Sequence, residues 1–360
     1  MKINNIDTMK ILAFETSCDE TSASVLDCNT DSNISNNKVL SNIISSQLFH
    51  SEFGGVVPEI ASREHLKNIS HVTKQALEKA NVELNDIDLV CATSEPGLIG
   101  ALLVGLNYAK SLAAVLQKPF VPVNHILSHL FSNMLSGQQE KFPFIGLIVS
   151  GGHTLLVLVR SYTDIKIIGS TIDDAAGEAF DKVAKILGLG YPGGPLIDKL
   201  AKNGDAKYHK FPLAIVRDTE HDFSFSGIKT SVLYYLRKID FANTKNDKLV
   251  ADISASFQFA VVESLYKRVT EACNKYNVKI ISVSGGVSAN SALKGKFNSL
   301  KEKGFEVYFP EMQFSMDNAA MIGLTGYLKY KHSDNKEFFD KESFRTNAKP
   351  RLDYDRFGLF

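Results

Sequence analysis

The chain is 360 residues long, enough for two domains or one large two-lobed unit. Hydrophobic residues make up 44% and charged residues 22%, the proportions of an ordinary folded globular protein. The 40 Lys and Arg balance the 40 Asp and Glu, so no global positive field advertises nucleic acid, and any such role must use local patches or a partner. Cys18, Cys28, Cys91 and Cys273 are scattered without a C-x-x-C, which fits a reducing compartment and neither a disulfide framework nor a zinc knuckle. No apolar run is read as membrane-spanning, and Met1-Lys2-Ile3-Asn4-Asn5 opens no secretory signal. The expectation is a cytoplasmic protein with no membrane partner, the mitochondrial matrix being the alternative.

Lys10 to Phe14 reads as a short strand, Glu15-Thr-Ser-Cys-Asp-Glu-Thr-Ser22 as a polar turn, and Ala23 to Leu26 as the returning strand. Such a hairpin tip is either an ordinary polar turn or the kind of place a nucleotide or metal site would use, with Asp19 and Glu20 as its acids. Asp27 to Lys38 reads as a flexible Asn/Ser/Asp-rich loop and Val39 to Gln47 as a strand. Phe53 to Glu59 reads as a Gly-Pro turn before a helix from Ser62 to Ala80. Arg63, His65, Lys67, His71 and Lys74 on that helix fit a solvated face or an RNA-facing one. Asp88 to Thr93 is a strand running into Ser94-Glu-Pro-Gly-Leu-Ile-Gly100, and a helix follows through Leu102, Leu106, Ala109 and Ala113. Strand, Gly turn and helix is α/β grammar, and it presents loop amides where anions bind.

Next comes Asn124-His125-Ile126-Leu127-Ser128-His129, after an extended run broken by Pro119 and Pro122. From Ile126 the pattern is helical, so His125 and His129 leave one face a turn apart and can share a metal ion. The zinc-protease motif would place a Glu where Ile126 stands, so its water-activating base is missing. The other reading is a satisfied pair of core or surface histidines.

Phe144 to Ser150 is a buried-type strand, Gly151-Gly-His-Thr154 turns it, and Leu155 to Arg160 returns: a second hairpin laid out like the first. Asp173 to Asp181 opens a helix to Leu187, Gly188 to Pro195 is a Gly/Pro loop leading into Leu196 to Ala201, and Phe223 to Thr230 opens another helix. A long amphipathic helix spans Asp252 to Tyr276, and Lys279 to Ser284 is a strand. Gly285 to Asn290 is a further Gly loop before a helix at Ser291, so Gly-rich loops recur at strand ends as phosphate cradles would. Val307 to Pro310 is a strand, Ser315 to Asn318 caps an apolar helix to Tyr330, and Lys331 to Phe360 reads as a surface-packed tail.

Two hairpin-led halves with Gly loops facing one cleft resemble the actin, Hsp70 and sugar-kinase (ASKHA) fold, an α/β architecture with a mixed sheet in each lobe. Eight motifs narrow the resemblance: ETSCDETSASV from Glu15, GGVVPEIASREH from Gly54, PGLIGALLVG from Pro96, NHILSH from Asn124, VSGGHT from Val149, DDAAGEAFDKVAKILGLGYPGGP from Asp173, DFSFSGIKT from Asp222 and SGGVSANSALK from Ser284. In this order they resemble the TsaD family, the transferases that make threonylcarbamoyladenosine in tRNA, once described as glycoproteases. The resemblance covers Lys10 to Tyr330 and implies lobes at 9–141 plus 315–332 and at 142–314, with a tail at 333–360. It departs in a long Asp27–Lys38 loop and in the absence of the family's Trp beside Lys349-Pro-Arg351.

The resemblance further implies metal ligands His125, His129 and Asp317 for one divalent ion, Fe2+ before Zn2+. It implies that Ile148, Val149, Ser150, Gly151, Gly152, Asp181, Gly194, Asp198 and Asn290 bind ATP or threonylcarbamoyl-adenylate, and that Asp19 is the acid needed for transfer. The reaction implied moves the threonylcarbamoyl group to N6 of adenosine 37 in tRNAs reading codons that begin with A, releasing AMP. Partners implied are tRNA and, in bacteria, a TsaB-type paralogous subunit and a TsaE-type ATPase. Rival readings are a metallopeptidase on His125 and His129, which Ile126 argues against, and an ATP-binding scaffold of the Hsp70 type. For tRNA contact, the candidate patches are Arg63/Lys67/Lys74 and Lys294/Lys296/Lys301.

Overall fold

Strand β1 (Thr8–Glu15) and strand β2 (Glu20–Asn29) pair antiparallel from Thr8↔Asn29 to Glu15↔Ser22. Ile11 to Phe14 and Ala23, Val25 and Leu26 are buried as continuous runs, because these central strands are covered on both faces. The computed structural model describes residues 8–29, 37–47, 50, 53, 55–216, 219–354 and 357–358. They pack as two units, one of residues 1–141, 161–165 and 310–360 and one of residues 142–160 and 166–309.

In the first unit β3 (Lys38–Ser46) pairs antiparallel with β2, and helix α1 (Pro58–Ala80) follows. Strand β4 (Leu89–Glu95) lies parallel to β1, and helix α2 (Ile99–Leu116) leads to β5 (Phe120–Asn124), parallel to β4. Helix α3 (His125–Phe131) leaves β5 directly. The second unit holds β6 (Phe144–Val149), β7 (Thr154–Val159), β8 (Ile165–Ser170), α4 (Ala176–Leu187), α5 (Gly193–Ala201), α6 (Ser226–Lys238) and the short α7 (Phe241–Thr244). The 30-residue α8 (Asp247–Tyr276), β9 (Ile280–Ser284), α9 (Ser291–Asn298) and β10 (Glu306–Tyr308) complete it. The chain then returns to the first unit with α10 (Met312–Ser315), α11 (Ala319–His332) and α12 (Glu337–Asp340).

The sheets run β3-β2-β1-β4-β5 and β8-β7-β6-β9-β10. Counted within each unit, both have strand order 3-2-1-4-5, with an antiparallel hairpin at the start and parallel strands after it. That repeated order in two mixed five-stranded sheets is the ASKHA-like α/β class expected from the paired hairpins.

Several boundaries move. Glu15 closes β1 and Glu20 to Ser22 open β2, so the tip is only Thr16 to Asp19. Strand β2 runs on to Asn29 and β3 starts at Lys38, which leaves residues 30–36 of the expected loop outside the described residues. Helix α1 starts at Pro58, where proline's fixed φ suits the first turn, four residues before the expected start. Helix α8 starts at Asp247, capped by the Asn246 side chain on the Leu249 amide. Strand β8 was not expected at all. By length and composition α2 is apolar enough to cross a membrane, which corrects the expectation of no such run. Its Ala101, Leu102, Leu106, Ala109 and Ala113 form a stripe buried in the first unit's core. The tail is partly internal: Phe339 and Ser343 are buried, Phe344 packs on Phe120, and the Lys349 amide donates to Ser94 O at 2.9 Å.

Candidate functional site

Helix α3 begins at His125 because Asn124 caps it, its Oδ1 accepting from the amides of Ile126 and Leu127 at 2.9 and 3.1 Å. The cap fixes the first turn, and the two imidazoles stand one turn apart with ring centroids 4.7 Å apart and planes at 85°. Asp317 precedes Asn318, the N-cap of α11, whose Oδ1 accepts from Met321 N at 3.1 Å. This places Asp317 Oδ1 at 3.4 Å from His125 Nε2 and 3.0 Å from His129 Nε2. One donor atom from each of the three residues lies within 4.8 Å of the others.

Glu15 completes the arrangement from behind. It is fully buried, and its Oε1 accepts from Ser17 N at 2.5 Å. Its Oε2 accepts from Thr93 Oγ1 at 2.5 Å and faces His125 Nδ1 at 3.0 Å. Burial pushes the Glu15 carboxyl up, but the facing His125 outweighs it and holds it below the usual range. Burial likewise lowers the His125 pKa, and the negative Asp317 and Glu15 reverse the sign and raise it well above the usual imidazole value. Asp317 is held well below the usual carboxylate range by the two histidines despite its burial. A carboxylate on Nδ1 keeps a proton on that side, so Nε2, turned toward Asp317, is the nitrogen that would give up its proton to an ion, leaving the tautomer that metal ligation requires. Two imidazole nitrogens and one carboxylate oxygen at this spacing fit a divalent transition metal with open positions.

The tip beside this site is pinned residue by residue. Thr16 Oγ1 donates to Ala101 O at 2.9 Å, and Ser17 O accepts from Leu98 N at 2.8 Å. Cys18 O accepts from His65 Nε2 at 3.0 Å, and Asp19 O accepts from Gln47 N at 3.2 Å. His65 is therefore no solvated residue: it is fully buried, and its Nδ1 takes the Thr21 hydroxyl at 2.8 Å. A carbonyl can only accept, so His65 carries its proton on Nε2. Asp19 itself is half-buried. Burial, the negative charges of Asp317 and Asp19 and a hydrogen bond with Asp19 push the neighbouring Glu20 carboxyl up to about 10. At neutral pH Glu20 is a neutral acid.

In the second unit the expected nucleotide residues form a closed circuit. Ser150 O accepts from Gly177 N at 3.2 Å at the start of α4, where a Cβ on Gly177 would sit 2.6 Å from that oxygen. Asp181, one turn further, accepts from Gly193 N at 2.7 Å and caps α5. Asp198 on α5 accepts from Ser291 Oγ and N at 2.8 and 3.2 Å. Asn290 Oδ1 caps α9 on Leu293 N at 3.0 Å, and its Nδ2 donates to Gln258 Oε1 at 2.7 Å. Gly285, at φ +86°, packs so closely on Val149 O that a Cβ would lie 2.5 Å from it, which returns the circuit to Ile148 and Val149 on β6. Gly151, Gly152 and Gly194 have no atom within 4 Å of an added Cβ, and the Gly194 amide joins that of Gly193 on the Asp181 carboxylate.

Of the two basic patches named from the sequence, the one on α1 is neutralised, while in the other Lys294 and Lys301 have no ion pair among the described residues. Arg63, Lys67 and Lys74 pair with Glu59, Glu64 and Glu78 along α1, and Lys296 pairs with Glu263.

The family model for TsaD, tRNA N6-adenosine threonylcarbamoyltransferase, matches residues 38–324. The curated tRNA N6-adenosine threonylcarbamoyltransferase of Thermosipho africanus is 51% identical over 325 residues, covering 90% of this chain and 95% of its own. That of Clostridioides difficile is 51% identical over 322 residues, covering 89% and 92%. Among solved structures, T. kodakarensis HypF shares the fold at 15% identity and TM-score 0.59, covering 90% of this chain, which spans about half (48%) of that protein. The family match and the identity across most of the chain, together with the two histidines and Asp317 on one focus, assign the chain to the TsaD family.

Proposed function

We propose that this chain transfers the threonylcarbamoyl group of L-threonylcarbamoyl-adenylate to N6 of adenosine 37 in tRNAs reading codons that begin with A, with release of AMP. The observation that carries the reading is the Glu15-backed convergence of His125, His129 and Asp317 beside a fully pinned Asp19 tip. The exocyclic amine is a weak nucleophile, so the site must hold it, take its proton and stabilise charge on the carbamoyl oxygen. The amides of Gly151 and Gly152, unshielded by any side chain of their own, would hold the adenylate phosphate, Asp181 and Asp198 the ribose hydroxyls, and Asn290 the adenine. Ile148 to Ser150 and Gly194 would shape the same pocket. Asp19 would orient the amine and accept its proton, while Glu20, a neutral acid hydrogen-bonded to it, keeps its carboxylate in place. His125, His129 and Asp317 would hold one divalent ion, Fe2+ by the two-imidazole, one-carboxylate set, Zn2+ being the alternative. When bound, that ion supplies Lewis-acid stabilisation of oxygen charge. In a bacterial setting a TsaB-type subunit would find apolar surface in Leu66, Ile99 and Leu103, exposed on α1 and α2, and a TsaE-type ATPase would complete the set.

Asp19→Asn tests the assignment, since Asn keeps the turn but is no base. With synthetic threonylcarbamoyl-adenylate and the companion proteins, transfer should fall by at least about a hundredfold while metal content and adenylate binding stay at parental values. Transfer within a few-fold of the parent would make Asp19 structural.

A further inference from the structure

The chain is electrically neutral as a whole, yet its cations are not evenly spread. Segments 199–210 and 234–248 carry eight Lys and Arg against three Asp, a net of +5, so the rest of the chain carries −5. The two segments are brought together in the second unit. Loop 202–210 lies along the N-terminal half of α8, with Asp205 N on Asp252 Oδ1 at 2.7 Å and His209 N on Ser256 Oγ at 3.1 Å. From there the His209 ring stacks on Tyr235 of α6, centroids 3.8 Å apart. A cavity of about 410 Å³ between Tyr208, Ile239 and Lys248 marks the seam.

Six cations of this face are exposed: Lys199, Lys202, Lys207, Lys210, Arg237 and Lys238. Among the described residues none of the six has a carboxylate at ion-pair distance, unlike Arg63, Lys67, Lys74 and Lys296. Tyr208 and Tyr234 stand among them with 44% and 63% of their surface exposed. Unpaired cations interleaved with exposed aromatic rings are what a phosphodiester chain with splayed bases requires. The face also abuts the circuit described above. Lys199 follows Asp198 on α5, and Lys202 lines a groove of about 410 Å³ with Ser291, whose hydroxyl donates to Asp198.

We propose that the C-terminal end of α5, loop 202–210 and the C-terminal end of α6 form the surface on which this chain holds the sugar-phosphate backbone of its tRNA. The proposal rests on the tRNA reading above. Acidic side chains on the face are engaged elsewhere: Asp252 with Lys248 and the Asp205 amide, Asp205 with the Lys207 amide, and Asp240 with Asn243. Asp252 is thus offset by Lys248, and Asp205 and Asp240, which keep their charge, are already counted in the net of +5.

The test is direct binding of a labelled, unmodified tRNA transcript to the full-length chain at salt from 50 to 200 mM. If each of the six cations neutralises one phosphate, log affinity falls against log salt with a slope of about −5, roughly a thousandfold over that range. Replacing Lys202, Lys207 and Lys210 together by Gln should flatten the slope to about −3, with thermal stability and ATP binding unchanged. The matched Arg63→Gln, Lys67→Gln, Lys74→Gln variant should keep the parental slope. An unchanged slope in the loop variant overturns the proposal, and so does an equal loss in the α1 variant. Tighter binding of poly-glutamate than of the tRNA at equal charge would assign the face to an acidic protein instead and also overturn it. The assay contains no donor and reads no transfer. A chain with the expected slopes that leaves tRNA unmodified removes the transferase reading and keeps the surface, while transfer with an unchanged slope in the loop variant does the reverse.

Discussion

Glu15→Gln perturbs the candidate metal centre without touching a ligand. In the parent, the two carboxylate oxygens accept from three donors, the Ser17 amide, the Thr93 hydroxyl and the His125 Nδ1 proton. A glutamine side chain has one acceptor oxygen and two N–H donors. If its oxygen stays on the His125 side, its amide meets the Ser17 N–H donor to donor. If it turns the other way, its amide faces His125 Nδ1 and drives that ring to the tautomer protonated on Nε2, the edge 3.4 Å from Asp317. Either outcome leaves a buried donor unpaired, which costs about 1–3 kcal/mol of stability. Loss of an outer-shell carboxylate on a ligating histidine weakens metal binding by about 10–100-fold. The assay is a Zn2+ titration against a competing chelator on parent and variant, with a denaturation curve alongside to show that both remain folded. An affinity within about threefold of the parent would refute the idea that Glu15 sets the tautomer of His125.

Three further substitutions follow from single contacts. His65→Leu keeps bulk but removes both hydrogen bonds under the tip, so stability should fall by about 2–4 kcal/mol and transfer should drop with it, while His65→Gln, which can still donate to Cys18 O, recovers part of both in denaturation and rate measurements. Gly177→Ala drives a methyl to 2.6 Å from Ser150 O, so calorimetry should find ATP binding weakened by about 1–3 kcal/mol with metal content intact. Asp174 is partly buried, which raises its pKa, but hydrogen bonds to Lys182 and Lys229 at 2.7 and 3.0 Å lower it further and leave it below the usual value. A depressed folded-state pKa stabilises above the ordinary carboxylate value and is lost as pH falls through the depressed one. Asp174→Asn should therefore cost about 1 kcal/mol at pH 7, allowing for solvent screening of the half-exposed lysines, and progressively less below about pH 4. A penalty that grows on acidification would contradict the pairing.

The two histidines were legible because they lie four apart on one helix, where spacing alone puts them on one face. Asp317 stands 188 residues after His129, and only a family resemblance could join them. Glu15 was misplaced in the turn because its burial comes from partners on β4 and α3, which no local pattern reveals. His65 was hidden by its charged neighbours Arg63 and Lys67, although a signal was present. Ala61, His65, Ile69, Val72 and Ala76 fall on one stripe of α1, and all five are buried. The paired hairpins were read because their strands are continuous apolar runs. Strand β8 was missed because it is a six-residue edge strand carrying the exposed Lys166. The charge balance hid the segregation of cations in the second unit, since a sum over the chain cannot tell a paired lysine from a free one.

The most direct measurement is mass analysis of nucleosides from an unmodified tRNA transcript bearing adenosine 37, incubated with this chain, threonine, bicarbonate, ATP and its companion proteins. Threonylcarbamoyladenosine should form with the chain present. It should vanish when the chain carries His125→Ala with His129→Ala. Unmodified adenosine in the complete mixture, or equal product from the double variant, would contradict the transferase function or the metal centre assigned to it.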